Sequence, residues 1–189
     1  MKVKLNPAFE GMSGMLGEIV FRELRGKTVV SRKPNTANDQ PTAGQTAHRE
    51  RFKLAAAYGK SALADDAVRP LYEEAARRRN VPIFSVTIAD YFNAPLIPDI
   101  DLSQYNGARD NVITVPAMDD FGVLSVQVII SDEQGNHIES GAAQETTPGS
   151  GRWVYIAQTS PVASTLVVKA VATDRPGGTA VKSKTFTRA

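Results

Sequence analysis

The chain has 189 residues, 42% of them hydrophobic and with a formal net charge of +2, which is the composition of an ordinary globular protein with room for one large or two small domains. It has no cysteine, so disulfides, thiolate zinc sites and cysteine nucleophiles are excluded together. No stretch approaches the roughly 20 apolar residues that cross a bilayer, and the opening MKVKLNPAFEGMSGM holds no secretory apolar run.

These bounds predict a protein with no membrane partner, kept in the cytoplasm or carried in a virion or other assembly released by lysis. The small net charge hides an asymmetry. Residues 1–95 carry 15 Lys and Arg against 10 Asp and Glu, net +5, whereas residues 96–189 carry 7 against 10, net −3. Opposed halves suit head-to-tail contacts between copies as well as a basic patch for nucleic acid.

Residues 1–13 are not committed to any regular element, because Gly11, Ser13 and Gly14 interrupt it. Two β-branched runs follow, at residues 18–23 and 27–32, on either side of the turn-compatible pair Arg25-Gly26, and they predict a β-hairpin. A lone hairpin is marginal in water, so this one needs a helix, a sheet or a neighbouring subunit to lie on. Its cations, Arg22, Arg25, Lys27, Arg32 and Lys33, crowd the turn and the outgoing strand. They suit a phosphate backbone or an acidic protein groove, or they serve as the edge-strand charges that discourage unwanted pairing.

The stretch PNTANDQP, residues 34–41, is turn chemistry throughout. Thr42-Ala43-Gly44-Gln45 then matches a capping box, with Thr42 as N-cap of a first helix ending between residues 59 and 63. Ala47, Leu54, Ala55 and Tyr58 fall on helical spacing with Phe52 beside them, and both Phe21 and Phe52 are expected in the core. Asp65-Asp66 caps a second helix over residues 67–79, whose apolar stripe is Val68, Leu71, Tyr72, Ala75 and Ala76. It closes on Arg77, Arg78 and Arg79, three cations that favourably meet the negative end of the helix dipole and are also candidates for nucleic acid. Asn80 and Pro82 end it, and Ser85 caps a short third helix over residues 86–92 that makes apolar contacts through Ile88, Tyr91 and Phe92.

Residues 93–98, NAPLIP, carry two prolines and predict a stiff, extended linker. Beyond it, strand-length runs recur at residues 112–116, 123–130, 137–139, 153–157, 166–171 and 180–186, with turn signals between them. Val126, Val128 and Ile130 point to one side, and Trp153 and Tyr155 share a core-facing side. The expected architecture is an α+β amino-terminal module, a β-hairpin plus two or three helices, over residues 1–95, followed over residues 99–189 by an all-β immunoglobulin-like sandwich.

That second half resembles the bacterial immunoglobulin-like domains appended to surface, phage and adhesin proteins. The resemblance rests on Asp119-Asp120-Phe121-Gly122-Val123 leading into Val126-Gln127-Val128, on the turn from Asp132 to Gly135, and on Ala170-Val171-Ala172-Thr173-Asp174 before Pro176-Gly177. It implies a spacer or a binding module. The first half resembles uncharacterised bacterial and phage proteins in which a glycine-rich hairpin precedes a helix with Pro41, Thr42, Gln45, Arg49 and Phe52 at fixed spacing. That resemblance implies a small structural or assembly protein.

No catalytic signature appears. His48 and His137 stand in different halves with no second ligand at metal-binding spacing. Asp119, Asp120, Asp132 and Asp174 read as turn formers, with Ca²⁺ coordination at one end of the sandwich as the alternative. No Gly-x-Ser-x-Gly elbow is present, and residues 11–17 lack the lysine of a phosphate-binding loop.

The expected function is therefore a non-enzymatic structural or interaction protein without a cofactor, partnered by itself or by other assembly proteins. The alternative is nucleic-acid binding through Arg22, Arg25, Lys27, Arg32, Lys33 and Arg77 to Arg79. A surface-binding adhesin is a third reading, and it requires Trp153 and Tyr155 to be exposed.

Overall fold

The computed structural model describes residues 11–24, 26–35 and 40–188. They contain two antiparallel sheets and three helices, a mixed α+β chain with a sandwich-like β part. The chain divides into two compact units, Met1–Ala47 and His48–Ala189.

In the first unit the expected hairpin is present as β2 (Ile19–Leu24) and β3 (Lys27–Arg32). A strand that the glycines conceal, β1 (Gly14–Leu16), adds to the other edge of β2 and makes a three-stranded sheet in the order β1-β2-β3. Gly14 and Gly17, which bracket β1, both have positive φ, the conformation that costs glycine least.

Helix α1 (Ala43–Ala64) starts as the capping box requires. The Gln45 N–H donates to the Thr42 hydroxyl at 3.3 Å, and the Thr42 N–H donates to the Gln45 side-chain oxygen at 3.0 Å.

In the second unit, α2 (Arg69–Arg79) starts two residues after the expected position with Val68, not Asp65 or Asp66, at the cap; Asp65 instead accepts the Ala67 N–H at 2.8 Å in the turn before it, and Pro70 is harmless in the first turn. Asn80 closes α2 in the left-handed conformation, φ 53°. Helix α3 (Ile83–Phe92) begins three residues before the expected start, with Pro82 rather than Ser85 at the cap position. Proline fixes φ and lacks an N–H, so the turn enters the helix without the serine hydroxyl.

The helices bury Ala62, Tyr72, Ala75, Ala76 and Val86 together. They approach closely where α1 crosses α3: a Cβ on Gly59 would lie 2.5 Å from the Thr87 hydroxyl and 3.1 Å from the Phe84 ring. Phe52 and Leu71 are 46% and 47% exposed, which corrects their expected place in the core. The stripes are narrower than the periodicity implies, because small residues such as Ala55, Gly59 and Ala62 let the helices meet.

The proline-rich segment is packed. Pro95 and Ile97 are buried and Leu96 pairs with Met118. The strands that follow are β4 (Val112–Pro116), β5 (Val123–Asp132), β6 (His137–Glu145), β7 (Arg152–Ile156), β8 (Thr165–Asp174) and β9 (Thr179–Thr187). They form one antiparallel sheet in the order β4-β7-β6-β5-β8-β9, which curls into a sandwich-like layer pair. The link is β6, which pairs with β5 as far as Ala143 and then with β7 through Gln144 and Glu145.

Alternation fills the interior: Ile113 and Val115, Val126, Val128 and Ile130, Trp153 and Tyr155, and Leu166, Val168, Ala170 and Ala172 are all buried in one cluster. Burial of each large side chain there is worth roughly 1.5–3 kcal/mol.

Candidate functional site

Register fixes which side chains share a face of the small sheet. Phe21 lies opposite Val30 and Gly14, Ile19 opposite Arg32 and Leu16, and Glu23 opposite Thr28, so these eight occupy one face. The Gly11 N–H donates to the Thr28 hydroxyl at 3.0 Å, and Phe21 is 8% exposed. On the other face stand Met15, Val20, Arg22, Leu24, Lys27, Val29 and Ser31. There Met15 and Leu24 are 64% and 63% exposed and Val29 is 44% exposed. This second face is an apolar surface bearing two cations, Arg22 and Lys27.

The other sequence-predicted cations are dispersed. Arg32 lies on the opposite face to Arg22, and Lys33, just past the end of β3, donates its N–H to the Glu18 carbonyl at 2.7 Å. Arg25 falls outside the described residues. Arg77, Arg78 and Arg79 belong to the second compact unit, in the last turn of α2. Arg79 is engaged there: its guanidinium lies 4.7 Å from the centre of the Phe121 ring and 3.9 Å from the Asp120 carboxylate. The Arg77 Nε donates to the Glu73 carbonyl at 3.4 Å. The triple arginine thus closes a helix and, through Arg79, clamps residues 120–121.

Helix α1 carries a second exposed stretch. Every residue from 43 to 54 is exposed, including Leu54 at 60%, and burial begins only at Ala55. Within this stretch His48 lies 5.6 Å from the centre of the Phe92 ring of α3, and the Arg51 guanidinium lies 4.6 Å over the same ring and donates to the Phe92 carbonyl at 3.4 Å.

One buried constellation has no counterpart in the sequence reading. Asp90 of α3 is 1% exposed. The Tyr72 hydroxyl of α2 donates to its Oδ2, and the Tyr58 hydroxyl of α1 reaches the same oxygen at 3.4 Å and the Tyr72 hydroxyl at 2.6 Å. Burial pushes the Asp90 carboxyl up to about 6, with the Tyr72 hydrogen bond opposing and the charges of Asp119 and Asp174 adding to the rise. Burial likewise raises both tyrosines. The available signal was spacing: Asp90 falls four residues after Val86 and three after Thr87, on the buried stripe of α3.

The aspartates weighed as Ca²⁺ ligands shape turns. Asp119 accepts the Phe121 N–H at 2.8 Å, Asp132 accepts the Asn136 N–H at 2.8 Å, and Asp174 accepts from Gly178. Among the described residues, no group of three or more His, Cys, Asp or Glu is arranged to hold a metal ion. Likewise, no described helix is long and apolar enough to cross a membrane. Trp153 and Tyr155 are 8% and 2% exposed, so the aromatic pair that an adhesin reading needs at the surface lies in the core.

No protein-family model matches the chain, and no curated protein matches it in sequence. Among solved structures it is similar to CopC from Methylosinus trichosporium OB3b, at 17% identity and a TM-score of 0.40, over 50% of this chain and 92% of that one. It is also similar to a tetra-tandem repeat in the extending region of a large adhesion protein, at 21% identity and a TM-score of 0.35, over 51% of this chain and 24% of that one.

Proposed function

We propose that this chain is a non-enzymatic assembly protein. The three-stranded sheet binds a second copy or another assembly protein, and the six-stranded part, of immunoglobulin-like type, acts as a spacer or binding head. The observation that carries the reading is the exposure of apolar side chains on both faces of the small sheet, Met15, Leu24 and Val29 around Arg22 and Lys27 on one and Leu16, Ile19 and Val30 on the other. A three-stranded sheet gains its stability from what covers it, and a contiguous apolar patch on a surface marks an interaction site.

Light scattering after size-exclusion chromatography, at low and high salt, tests the proposal. The wild-type chain should elute as an oligomer, and the pair Leu24→Glu with Val29→Glu should return it to a monomer without loss of the β core. A monomer at every concentration, or an oligomer that survives the double change, would overturn it. Arg22 and Lys27 share this face, so duplex DNA belongs in the same experiment. A complex that forms only with DNA and dissolves as salt rises would move the assignment to nucleic-acid binding.

A further inference from the structure

The helices of the second unit meet the six-stranded sheet around a short loop, residues 119–122. Phe121 packs against Tyr72 with ring centres 5.4 Å apart, the Arg79 guanidinium lies over the Phe121 ring at 4.7 Å, and Asn93 at the end of α3 donates to Asp120 at 2.9 Å. The polar centre of this junction is acidic. Asp90 is contributed by α3, Asp119 by the loop and Asp174 by the end of β8, and both Asp90 and Asp174 are 1% exposed.

The groups facing Asp90 are few. Tyr58 of α1 and Tyr72 of α2 donate to one oxygen, Oδ2. Its Oδ1 is buried without a hydrogen-bond partner. Among the described residues no ion pair reaches it. Arg175 lies near enough to act on Tyr58, and Arg79 is committed to Phe121 and Asp120. A neutral carboxyl fits this place. A carboxylate there has half of its charge unsolvated and two like charges in range.

We propose that Asp90 is a proton-operated latch: protonated, it holds α3 against α1 and α2 through Tyr58 and Tyr72, the latter the ring on which Phe121 packs, and ionised, it loosens that packing while the β core stays closed. The latch lies wholly in the second unit and stands or falls independently of the assembly reading. Burial, which pushes the carboxyl up to about 6, places the transition in the mildly acidic range.

Amide hydrogen exchange on the full chain between pH 5 and pH 8, corrected for the chemical exchange rate, tests it. Protection of residues 83–92 should fall about tenfold across that range, the part of a two-unit rise that lies above pH 5, while residues 126–130 and 166–172 hold steady. Asp90→Asn should flatten the profile, and Asp119→Asn, which removes an opposing charge, should move its midpoint to lower pH. Constant protection of α3, or an unaltered profile in Asp90→Asn, would overturn the proposal. If Asp90→Asn does not fold, an unmoved midpoint in Asp119→Asn overturns it.

Discussion

The two sheets are built from the same kind of sequence and end in opposite conditions. In β5, Val126, Val128 and Ile130 alternate with Ser125, Gln127 and Ile129, and the first set is buried. In β2 and β3 apolar residues fall on both faces, and Ile19, Leu24, Val29 and Val30 remain 39–63% exposed. The difference is supply. The long sheet curls until β4 and β7 cover β5 and β8, whereas the three-stranded sheet has too few strands to cover itself. Alternation therefore makes a strand, and only a second layer makes a core.

The contrast breaks most easily where burial is deepest. Leu166 is 0% exposed, so Leu166→Ala should cost about 2–5 kcal/mol in a urea melt. Leu24→Ala, at a position 63% exposed, should stay within roughly 0.5 kcal/mol while weakening self-association. Equal losses at the two sites would erase the distinction between the sheets.

The next effect is set by pH. The folded-state value of Asp90 is raised, so its protonated form favours folding. That contribution is full below about pH 4 and is lost as pH rises through about 6. Two units at about 1.4 kcal/mol each give roughly 3 kcal/mol less stability at pH 7.5 than at pH 4 from this group. Melts of the wild type and of Asp90→Asn against pH should differ by that slope.

A smaller loss follows from Gly59→Ala, whose new methyl group meets Thr87: about 1–3 kcal/mol, with partial recovery in the double change with Thr87→Ala. Smallest is Thr42→Ala, which removes the capping hydroxyl of α1 for about 1 kcal/mol. Circular dichroism on a peptide-length scale of helix loss, compared with the full-chain melt, should show that cost locally.

Much of this was legible in the sequence because it is local. The capping box at Thr42, the run at residues 112–116 and the shared inward side of Trp153 and Tyr155 each follow from a few adjacent residues. What stayed hidden depends on distant partners or on weak composition. β1 is three residues that begin with one glycine and stop before another, and β6 runs on through Ser140, Gly141, Ala142 and Gln144, a polar and small stretch that reads as loop. It is a strand because β5 pairs with it. Gly141 is needed there because a Cβ would meet the Tyr155 ring at 2.8 Å. Asp119-Asp120-Phe121 reads as a turn and is one, but its phenylalanine is also the wedge against Tyr72. Arg22, Lys27, Arg32 and Lys33 are neighbours in sequence, and sheet register puts Arg22 and Arg32 on opposite faces.

The burial of Trp153 has a practical side. It is the sole tryptophan of the chain and sits 8% exposed in the interior of the six-stranded sheet. Its emission is a private reporter of that interior: a fluorescence melt registers the β core alone and is silent on the small sheet. A tryptophan placed at Leu24 in a Trp153→Phe background would carry the same optical signal to the face where assembly is expected, so that one instrument reads each sheet in turn.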